Sequence, residues 1–348
     1  MKALDRKSLA LLIALTIALA EAIAVLYLVF VQLRDLQSRY QELWSRVREL
    51  EEMAESASRV YASAYRSVVT VEALRGDGSI MQGSGFIYDG NGSVVTSFHV
   101  VSNATSITVV YYDMVRANAT LLGGDVYTDI AVVRVEPRCP LCCQPLPLGN
   151  SSALKVGETV YAVGSPYGLA SSLSAGVVGA KERLVQLAEL GVAYPHGAYA
   201  VADLVQFDAS VGPGSSGCPL LNSRGEVVGV VFAMRGCLAF AVSSDIMRRV
   251  ASGIIANGRY DHPWLGVGYD PTYVGGMKVL YVLEGSPAER TGLMEGDVIT
   301  AVDGWPVRSA QELITYIEKR KSPGDIVLLS VERNGLNHLM QLQLGARP

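Results

Sequence analysis

From residue 62 to about residue 255 the chain alternates short apolar runs, rich in β-branched side chains, with turns made of Gly, Asn, Asp and Pro. Short runs bounded by turn residues are typical of β-strands. A long region built from such strands buries its apolar faces as a β-barrel or a β-sandwich. The sequence therefore predicts a mainly β region, and its 348 residues suggest two or three domains in all.

A glycine-rich turn at Gly212–Leu220 contains Ser216, between a strand-like stretch at 204–211 and an apolar run at 227–232. A serine hydroxyl becomes a useful nucleophile only beside a base and facing backbone N–H groups that hold the oxyanion. Flanking glycines let such N–H groups turn toward one point. An ordinary surface turn explains this run equally well when it is taken alone.

A base and a carboxylate lie upstream of this serine. His99 ends an alternating apolar stretch at 94–101, and Asp129 opens a buried-strand pattern at 129–135. The order His99, Asp129, Ser216 is that of the two-barrel serine proteases. Two other carboxylates compete with Asp129. They are Asp125, in a glycine-rich turn, and Asp208, which we expect to order a substrate pocket.

The chain resembles the HtrA/Deg family of trypsin-like serine proteases over roughly residues 60 to 345. The matching segments, in collinear order, are Gly83–Ile87, Thr96–Val101, Thr128–Val132, Gly214–Leu220 and Trp264–Val267. Two departures affect the nucleophile turn. Ser215 stands where the family usually has Asn, and Cys218 replaces a glycine.

The resemblance implies a trypsin-like double β-barrel that brings His99 and Asp129 from one barrel against Ser216 from the other. Ser216 is then the nucleophile, His99 the general base, and Asp129 the group that orients the imidazole. No metal or organic cofactor is required. The backbone N–H groups of Gly214 and Ser216 are expected to hold the oxyanion. The expected pocket, apolar and suited to small or aliphatic side chains, is Val230, Val231 and Phe232.

Residues 261–344 read as one small α+β domain. Ser286 begins a capping box with Pro287 at the first helical position, and Gly292 can close that helix. The order of elements resembles a PDZ domain as permuted in the HtrA family. PDZ domains add a peptide as an extra strand and hold its terminal carboxylate in a backbone nest. The residues expected to supply that nest are Trp264, Leu265, Gly266 and Val267.

The same resemblance places a regulatory sensor loop at 181–203, with Arg183 coupling a peptide bound to the PDZ domain to the active site. A solvated arginine on a surface loop is the alternative interpretation of Arg183.

The segment 9–31 is almost wholly apolar and long enough to cross a bilayer as a helix. Lys2, Arg6 and Lys7 precede it, which favours a cytoplasmic N-terminus and an extracytoplasmic remainder. A signal peptide cleaved near Ala18–Ala20 is the alternative, but the apolar stretch continues past that point.

A heptad pattern follows the apolar segment and predicts a helical, coiled-coil-like stalk, whose association would reinforce the trimer of HtrA-like proteases. A helix lying on its own catalytic domain is the alternative. The seam residues are Leu33, Leu36, Tyr40, Leu43, Val47, Leu50, Ala54 and Ala57.

The predicted domain limits are a cytoplasmic N-terminus at 1–7, a transmembrane anchor at 8–31, the stalk at 32–60, the protease domain at 61–258 and the PDZ domain at 259–348.

Cysteines, charge and sequons refine the location. The spacing of Cys139, Cys142 and Cys143 lacks a second ligand pair, so disulfides are favoured over zinc in an exported domain, with Cys218–Cys237 as one conceivable bridge. A net charge of −4 without a basic stripe argues against nucleic-acid partners. Four N-x-[ST] sequons suit an outward-facing protein, at Asn91, Asn103, Asn118 and Asn150.

Together these features predict a membrane-anchored, outward-facing serine endopeptidase that binds unfolded polypeptides and C-terminal tails in protein quality control. Two alternatives stay open. One is a regulatory protease that cuts a specific membrane substrate. The other is a non-catalytic peptide-binding scaffold, for which Cys218 beside the nucleophile is the sequence support.

Overall fold

The computed structural model describes residues 6–136, 144–165, 171–186 and 200–348, with side chains of the first helix described at 14–48, at 51 and from 56 onward. The chain divides into two compact units, Met1–Ser56 and Ala57–Pro348.

A single helix, α1, spans Arg6–Ala64. Its segment Ala14–Arg48 reaches a mean hydropathy of 2.4 near the N-terminus, so it is long and apolar enough to cross a bilayer. The seam side chains Leu33 and Leu36 are exposed. Ion pairs four residues apart, such as Arg46 with Glu42, support the helix locally. Association of this helix with other copies stays a prediction.

Six antiparallel strands form a closed barrel in the order β1-β2-β3-β6-β5-β4. A short helix, α2 (Phe98–Val101), follows β3. Valines that alternate along the strands fill the interior, Val71, Val109 and Val133 among them. The strands are β1 Val68–Arg75, β2 Ile80–Ile87, β3 Ser93–Ser97, β4 Ala104–Val110, β5 Arg116–Asp125 and β6 Ile130–Glu136.

A second closed barrel follows, in the order β10-β11-β12-β9-β8-β7. Its strands are β7 Thr159–Gly164, β8 Ser172–Gln186, β9 Ala200–Phe207, β10 Pro219–Leu221, β11 Val227–Arg235 and β12 Leu238–Ser243. Helix α3 (Ser244–Asn257) comes next. Ser243 caps its N-terminus, with a hydroxyl that accepts from the Ile246 N–H, and Gly258 caps its C-terminus in the left-handed conformation.

One apolar cluster joins the two barrels to α3 and to the end of α1. It contains Val60 of α1, Phe86 and Ile130 of the first barrel, Leu204 of the second and Met247 of α3. Burying each such side chain contributes roughly 1.5–3 kcal/mol. The two barrels, α3 and the end of α1 therefore share one continuous apolar core.

The last part of the chain is a small α+β domain. Its main sheet has the order β14-β15-β16-β18-β19, β17 pairs with β16, and β13 pairs with β20. Its elements are β13 Pro263–Trp264, β14 Val267–Tyr269, β15 Met277–Val282, α4 Pro287–Thr291, β16 Val298–Val302, β17 Trp305–Pro306, α5 Ala310–Arg320, β18 Ile326–Arg333, β19 Leu336–Gln343 and β20 Gly345–Ala346. The predicted capping box is confirmed, because the Ser286 hydroxyl accepts from the Glu289 N–H.

Candidate active site

His99 and Asp129 meet because β3 pairs with β6, which sets Ser97 opposite Ile130. His99 lies on α2, directly after β3, and Asp129 directly precedes β6. One carboxylate oxygen of Asp129 accepts from the His99 backbone N–H at 2.8 Å. The other lies 2.7 Å from the ring atom Nδ1 of His99. Asp129 therefore fixes both the backbone and the ring of His99.

Burial differs across this pair. The Asp129 side chain is fully buried, whereas the His99 side chain remains 28% exposed. Burial by itself opposes protonation of the His99 ring, but the charge of Asp129 and its hydrogen bond outweigh burial and raise the pKa of His99 above its ordinary value. Nδ1 is occupied by Asp129, so Nε2 is the ring atom left for proton transfer.

Ser216 lies in the turn between β9 and β10, shaped by two glycines at positive φ, Gly214 at 92° and Gly217 at 88°. This turn is tied to the first barrel. The Ser84 N–H donates to the Ser216 carbonyl at 2.7 Å, and the Ser84 hydroxyl donates to the Gly214 carbonyl at 2.6 Å. A Cβ added at Gly217 would lie 2.8 Å from the Ser97 backbone nitrogen. The nucleophile turn therefore packs against the end of β3, two residues before His99.

The Ser216 hydroxyl donates to the Phe232 carbonyl at 3.5 Å. Among the described residues no hydrogen bond joins this hydroxyl to the His99 ring. Catalytic hydrogen bonds in unliganded enzymes are often long or misaligned and tighten when substrate binds. The role predicted for Ser216 requires that its hydroxyl turn from the Phe232 carbonyl toward Nε2 of His99.

Along this turn, backbone N–H groups that donate a hydrogen bond alternate with N–H groups that do not. The N–H of Ser215 donates to Gly212 and that of Gly217 to Val231, at 2.9 and 2.6 Å. Within the described part of the chain, the N–H groups of Gly214 and Ser216 donate to no other group. The two predicted oxyanion donors are therefore unoccupied and belong to the same turn.

Neither of the two competing carboxylates, Asp125 and Asp208, bonds to His99. Asp125 lies 3.0 Å from Nε2 of a different histidine, His262. Asp208 accepts from the Val177 N–H at 2.7 Å in the second barrel.

Comparison with known proteins agrees with this geometry. A trypsin-like peptidase domain matches residues 83–230, and a PDZ domain matches residues 263–344. HhoA of Synechocystis sp., named as a serine protease, is 35% identical over 260 residues, which cover 68% of this chain and 64% of HhoA. A protein of Rhizobium meliloti, named as a DegP-like periplasmic serine endoprotease, is 31% identical over 294 residues, 79% of this chain and 56% of that protein.

The solved structure of the HtrA-type protease AlgW with a tripeptide superposes with a TM-score of 0.70 at 26% identity, covering 84% of this chain and 97% of AlgW. The chain belongs to the HtrA/Deg family of trypsin-like serine proteases. It spans less than two thirds of the length of the two curated relatives above. The fold expected from the resemblance, a double β-barrel followed by a PDZ domain, is confirmed.

The departures from the HtrA/Deg pattern keep the turn intact. The Ser215 hydroxyl accepts from the Gly212 N–H at 3.2 Å. Cys218 is buried inside the second barrel, and this burial raises the pKa of its thiol to about 12. A thiol so far from ionisation at neutral pH acts as a small apolar side chain.

The conceivable bridge between Cys218 and Cys237 does not form, because both thiols are free. Cys218 lies opposite Val231, which donates to its carbonyl at 2.9 Å, and Cys237 comes six residues after Val231. The strand continues from Val231 to Arg235, four residue steps that span about 13 Å, whereas a disulfide needs Cα atoms within about 7 Å. The predicted partners Cys139, Cys142 and Cys143 lie outside the described residues.

The predicted pocket side chains need correction. Val230 and Phe232 are buried in the cluster that joins the two barrels, and Val231 is buried inside the second barrel, so none of the three presents a surface to a substrate. A cavity of about 280 Å³ lies farther along the same strand. It is lined by Asp208, Ala209, Ser210, Val211, Met234, Gly236, Cys237, Leu238 and Ala239. It was missed because strand alternation identifies apolar residues but not which of them fill a barrel.

The four predicted PDZ residues, 264–267, line a cavity of about 110 Å³ together with Met277 and with Ile314 and Ile317 of α5. Gly266 has a φ of 88°, and its carbonyl accepts from the Leu283 N–H at 3.0 Å.

Arg183 lies exposed on β8, opposite Leu204. The next residue, Leu184, donates its N–H to the Gln311 side chain on α5 at 3.3 Å.

Proposed function

We propose that this protein is a serine endopeptidase that hydrolyses peptide bonds through an acyl-enzyme. The observation that best supports this proposal is the pair of hydrogen bonds between His99 and Asp129. The Asp129 carboxylate lies 2.7 Å from Nδ1 of His99 and 2.8 Å from its backbone nitrogen. This arrangement leaves Nε2 as the proton acceptor, and the Ser216 turn packs against the end of β3, two residues before His99.

In the proposed reaction, the Ser216 hydroxyl leaves the Phe232 carbonyl, gives its proton to Nε2 of His99 and attacks the substrate carbonyl carbon. His99 then protonates the leaving amine, and Asp129 stabilises the imidazolium without taking its proton. The N–H groups of Gly214 and Ser216 hold the oxyanion; removing one donor of this kind typically lowers kcat about 10²–10³-fold. Water then hydrolyses the acyl-enzyme by the same steps in reverse.

We propose that the side chain before the cleaved bond enters the 280 Å³ cavity beyond Phe232. Val211, Met234 and Leu238 give this cavity apolar walls. Apolar walls favour small or aliphatic side chains, since a lysine or arginine would lose much of its hydration against them. The Asp208 carboxylate, which also lines the cavity, already accepts from the Val177 N–H. The lining of the cavity adjoins the turn that contains Ser216, because Val211 directly precedes Gly212 in the chain.

We propose that α1 anchors the protein in a membrane, with 61–258 as protease domain and 259–348 as PDZ domain on the extracytoplasmic side, acting on unfolded polypeptides and on C-terminal tails. The apolar helix near the N-terminus and a relative named periplasmic support this location. The four sequon asparagines, Asn91, Asn103, Asn118 and Asn150, are all exposed. Trimer formation through the barrels and stalk is part of this proposal.

A non-catalytic peptide-binding scaffold is the second candidate. One observation favours it, namely that the Ser216 hydroxyl bonds to Phe232 and not to His99.

Labelling with a fluorophosphonate distinguishes the two candidates. The full chain in detergent should label and cleave casein, whereas Ser216→Ala should do neither. Ser223→Ala is the matched control, because Ser223 is an exposed serine on the turn between β10 and β11, and it should behave as wild type. A wild-type protein that stays unlabelled with and without C-terminal peptides would support the scaffold.

A further inference from the structure

A second histidine–carboxylate cluster lies outside the proposed active site. His262, in the segment between α3 and β13, is 1% exposed. Its Nε2 atom is 3.0 Å from Asp125 and its Nδ1 atom is 2.8 Å from Glu318. Asp125 ends β5 of the first barrel, and Glu318 lies on α5 of the PDZ domain. The imidazole therefore joins three separate parts of the chain through its two nitrogens.

The surroundings of this ring are aromatic and cationic. Tyr127 and Tyr260 meet it edge to face, with ring centroids 5.2 and 4.7 Å away. Arg249 of α3 donates to the Tyr260 hydroxyl at 3.1 Å, and the Arg347 guanidinium lies 4.1 Å from the Tyr127 ring centre. No carboxylates besides Asp125 and Glu318 bond to the His262 ring within the described residues.

Asp125 also organises the turn that leads into Asp129. Its carboxylate accepts from the backbone N–H groups of Tyr127 at 3.3 Å and Thr128 at 3.0 Å. It also accepts from the Thr128 hydroxyl. Asp129 follows at once, with a φ of 60°, a left-handed conformation that a side chain disfavours. The turn before it must hold this conformation in place.

We propose that His262 is a positioning residue for catalysis, which fixes the Asp125 turn and thereby the two hydrogen bonds that Asp129 accepts from His99. This inference rests on the proposed function. His262 touches neither substrate nor Ser216, so it acts only through the turn. The PDZ domain takes part through Glu318, which holds the opposite side of the same ring.

The ring must be charged to donate to both carboxylates, because a neutral imidazole carries one N–H and would leave either Asp125 or Glu318 without a hydrogen bond from the ring. Burial opposes that charge, but Asp125 and Glu318 overcome it and raise the pKa of His262 to about 10. Burial likewise opposes ionisation of Asp125, yet His262 holds the pKa of that carboxyl below its ordinary value. The bridge is therefore an imidazolium between two carboxylates at neutral pH.

His262→Gln in the full chain tests this role. Glutamine keeps one amide donor but no charge, so the turn should relax. We expect kcat for a peptide substrate to fall about tenfold to a hundredfold, the scale of loss from small misplacements of catalytic groups, with KM little changed. The downfield NMR signal of the His99 Nδ1 proton should weaken or move. Arg333→Gln is the matched control, because it removes the partner of another buried carboxylate, Asp297, within the PDZ domain, and it should leave kcat unchanged.

A folded His262→Gln protein with the kcat and the His99 signal of wild type overturns the inference while leaving the proposed protease function intact. A wild-type protein that never labels at Ser216 instead overturns the proposed function. If His262→Gln does not fold, Glu318→Gln takes its place, because it keeps His262 bonded to Asp125 and removes only the PDZ side. It should lower kcat severalfold and move the same NMR signal, and no change in either overturns the inference.

Discussion

His99 and His262 both pair with an aspartate at the edge of the first barrel, at 2.7 and 3.0 Å. The aspartates, Asp129 and Asp125, are four residues apart. The two pairs differ in exposure and in the number of carboxylates. His99 has one carboxylate and a side chain that is 28% exposed, whereas His262 has two and is buried.

This difference separates two uses of the same chemical groups. One carboxylate raises the pKa of His99 but leaves Nε2 without a partner among the residues that the structure describes, so the ring can take and return a proton. Two carboxylates bind both nitrogens of His262 and raise its pKa to about 10, so it keeps its proton at neutral pH. A histidine beside an aspartate is therefore a candidate base only when its second nitrogen is free.

Replacing each aspartate by asparagine should give the largest difference in effect between the two histidine–aspartate pairs. Asp129→Asn should lower kcat about 10⁴-fold, because the amide favours the wrong tautomer of His99. Asp125→Asn should leave far more activity but remove a buried charge partner, a change that costs about 3–5 kcal/mol in unfolding free energy. Steady-state kinetics and denaturant unfolding of both variants check this. Equal losses of kcat would contradict the assignment of Asp129.

Unfolding free energy should depend on pH through His262. The ordinary pKa of a histidine is 6.5, and the pKa of His262 in the folded protein is about 10, so its contribution to stability is complete below pH 6.5 and is lost as pH rises toward 10. One such group changes stability by at most about 1.4 kcal/mol per pH unit across that window. Denaturant unfolding at several pH values should therefore show a steeper decline for wild type than for His262→Gln. His99 contributes with the same sign in both proteins, so parallel curves would refute the charged bridge.

Local sequence patterns were sufficient for the features set by neighbouring residues. The caps at Ser286 and Gly292 lie where the motif predicts them, because capping depends on residues three to six apart. The end of one apolar strand pattern predicts His99, and the start of another predicts Asp129. The resemblance to one family supplied the order of the domains.

Features set by distant contacts were not predictable in the same way. His262 lies 137 residues from Asp125 and 56 from Glu318, and no local motif marks any of the three as partners. The predicted pocket failed for a related reason. Val230 and Val231 have the apolar character of pocket walls, but the closure and packing of the barrels bury Val230 between the two barrels and Val231 inside the second.

The smallest expected effect is on the pH profile of activity. His99 must be neutral to accept the Ser216 proton, so kcat/KM should rise with pH through the pKa of the His99 ring. Asp129 raises that pKa above 6.5, so activity at pH 6.5 should be less than half of its plateau. Cleavage of a small peptide from pH 5 to 8.5 measures the midpoint. A midpoint at or below 6.5 would mean that the ring does not feel the Asp129 charge in solution. His262 should add no second step over this range, because its proton leaves only at about pH 10.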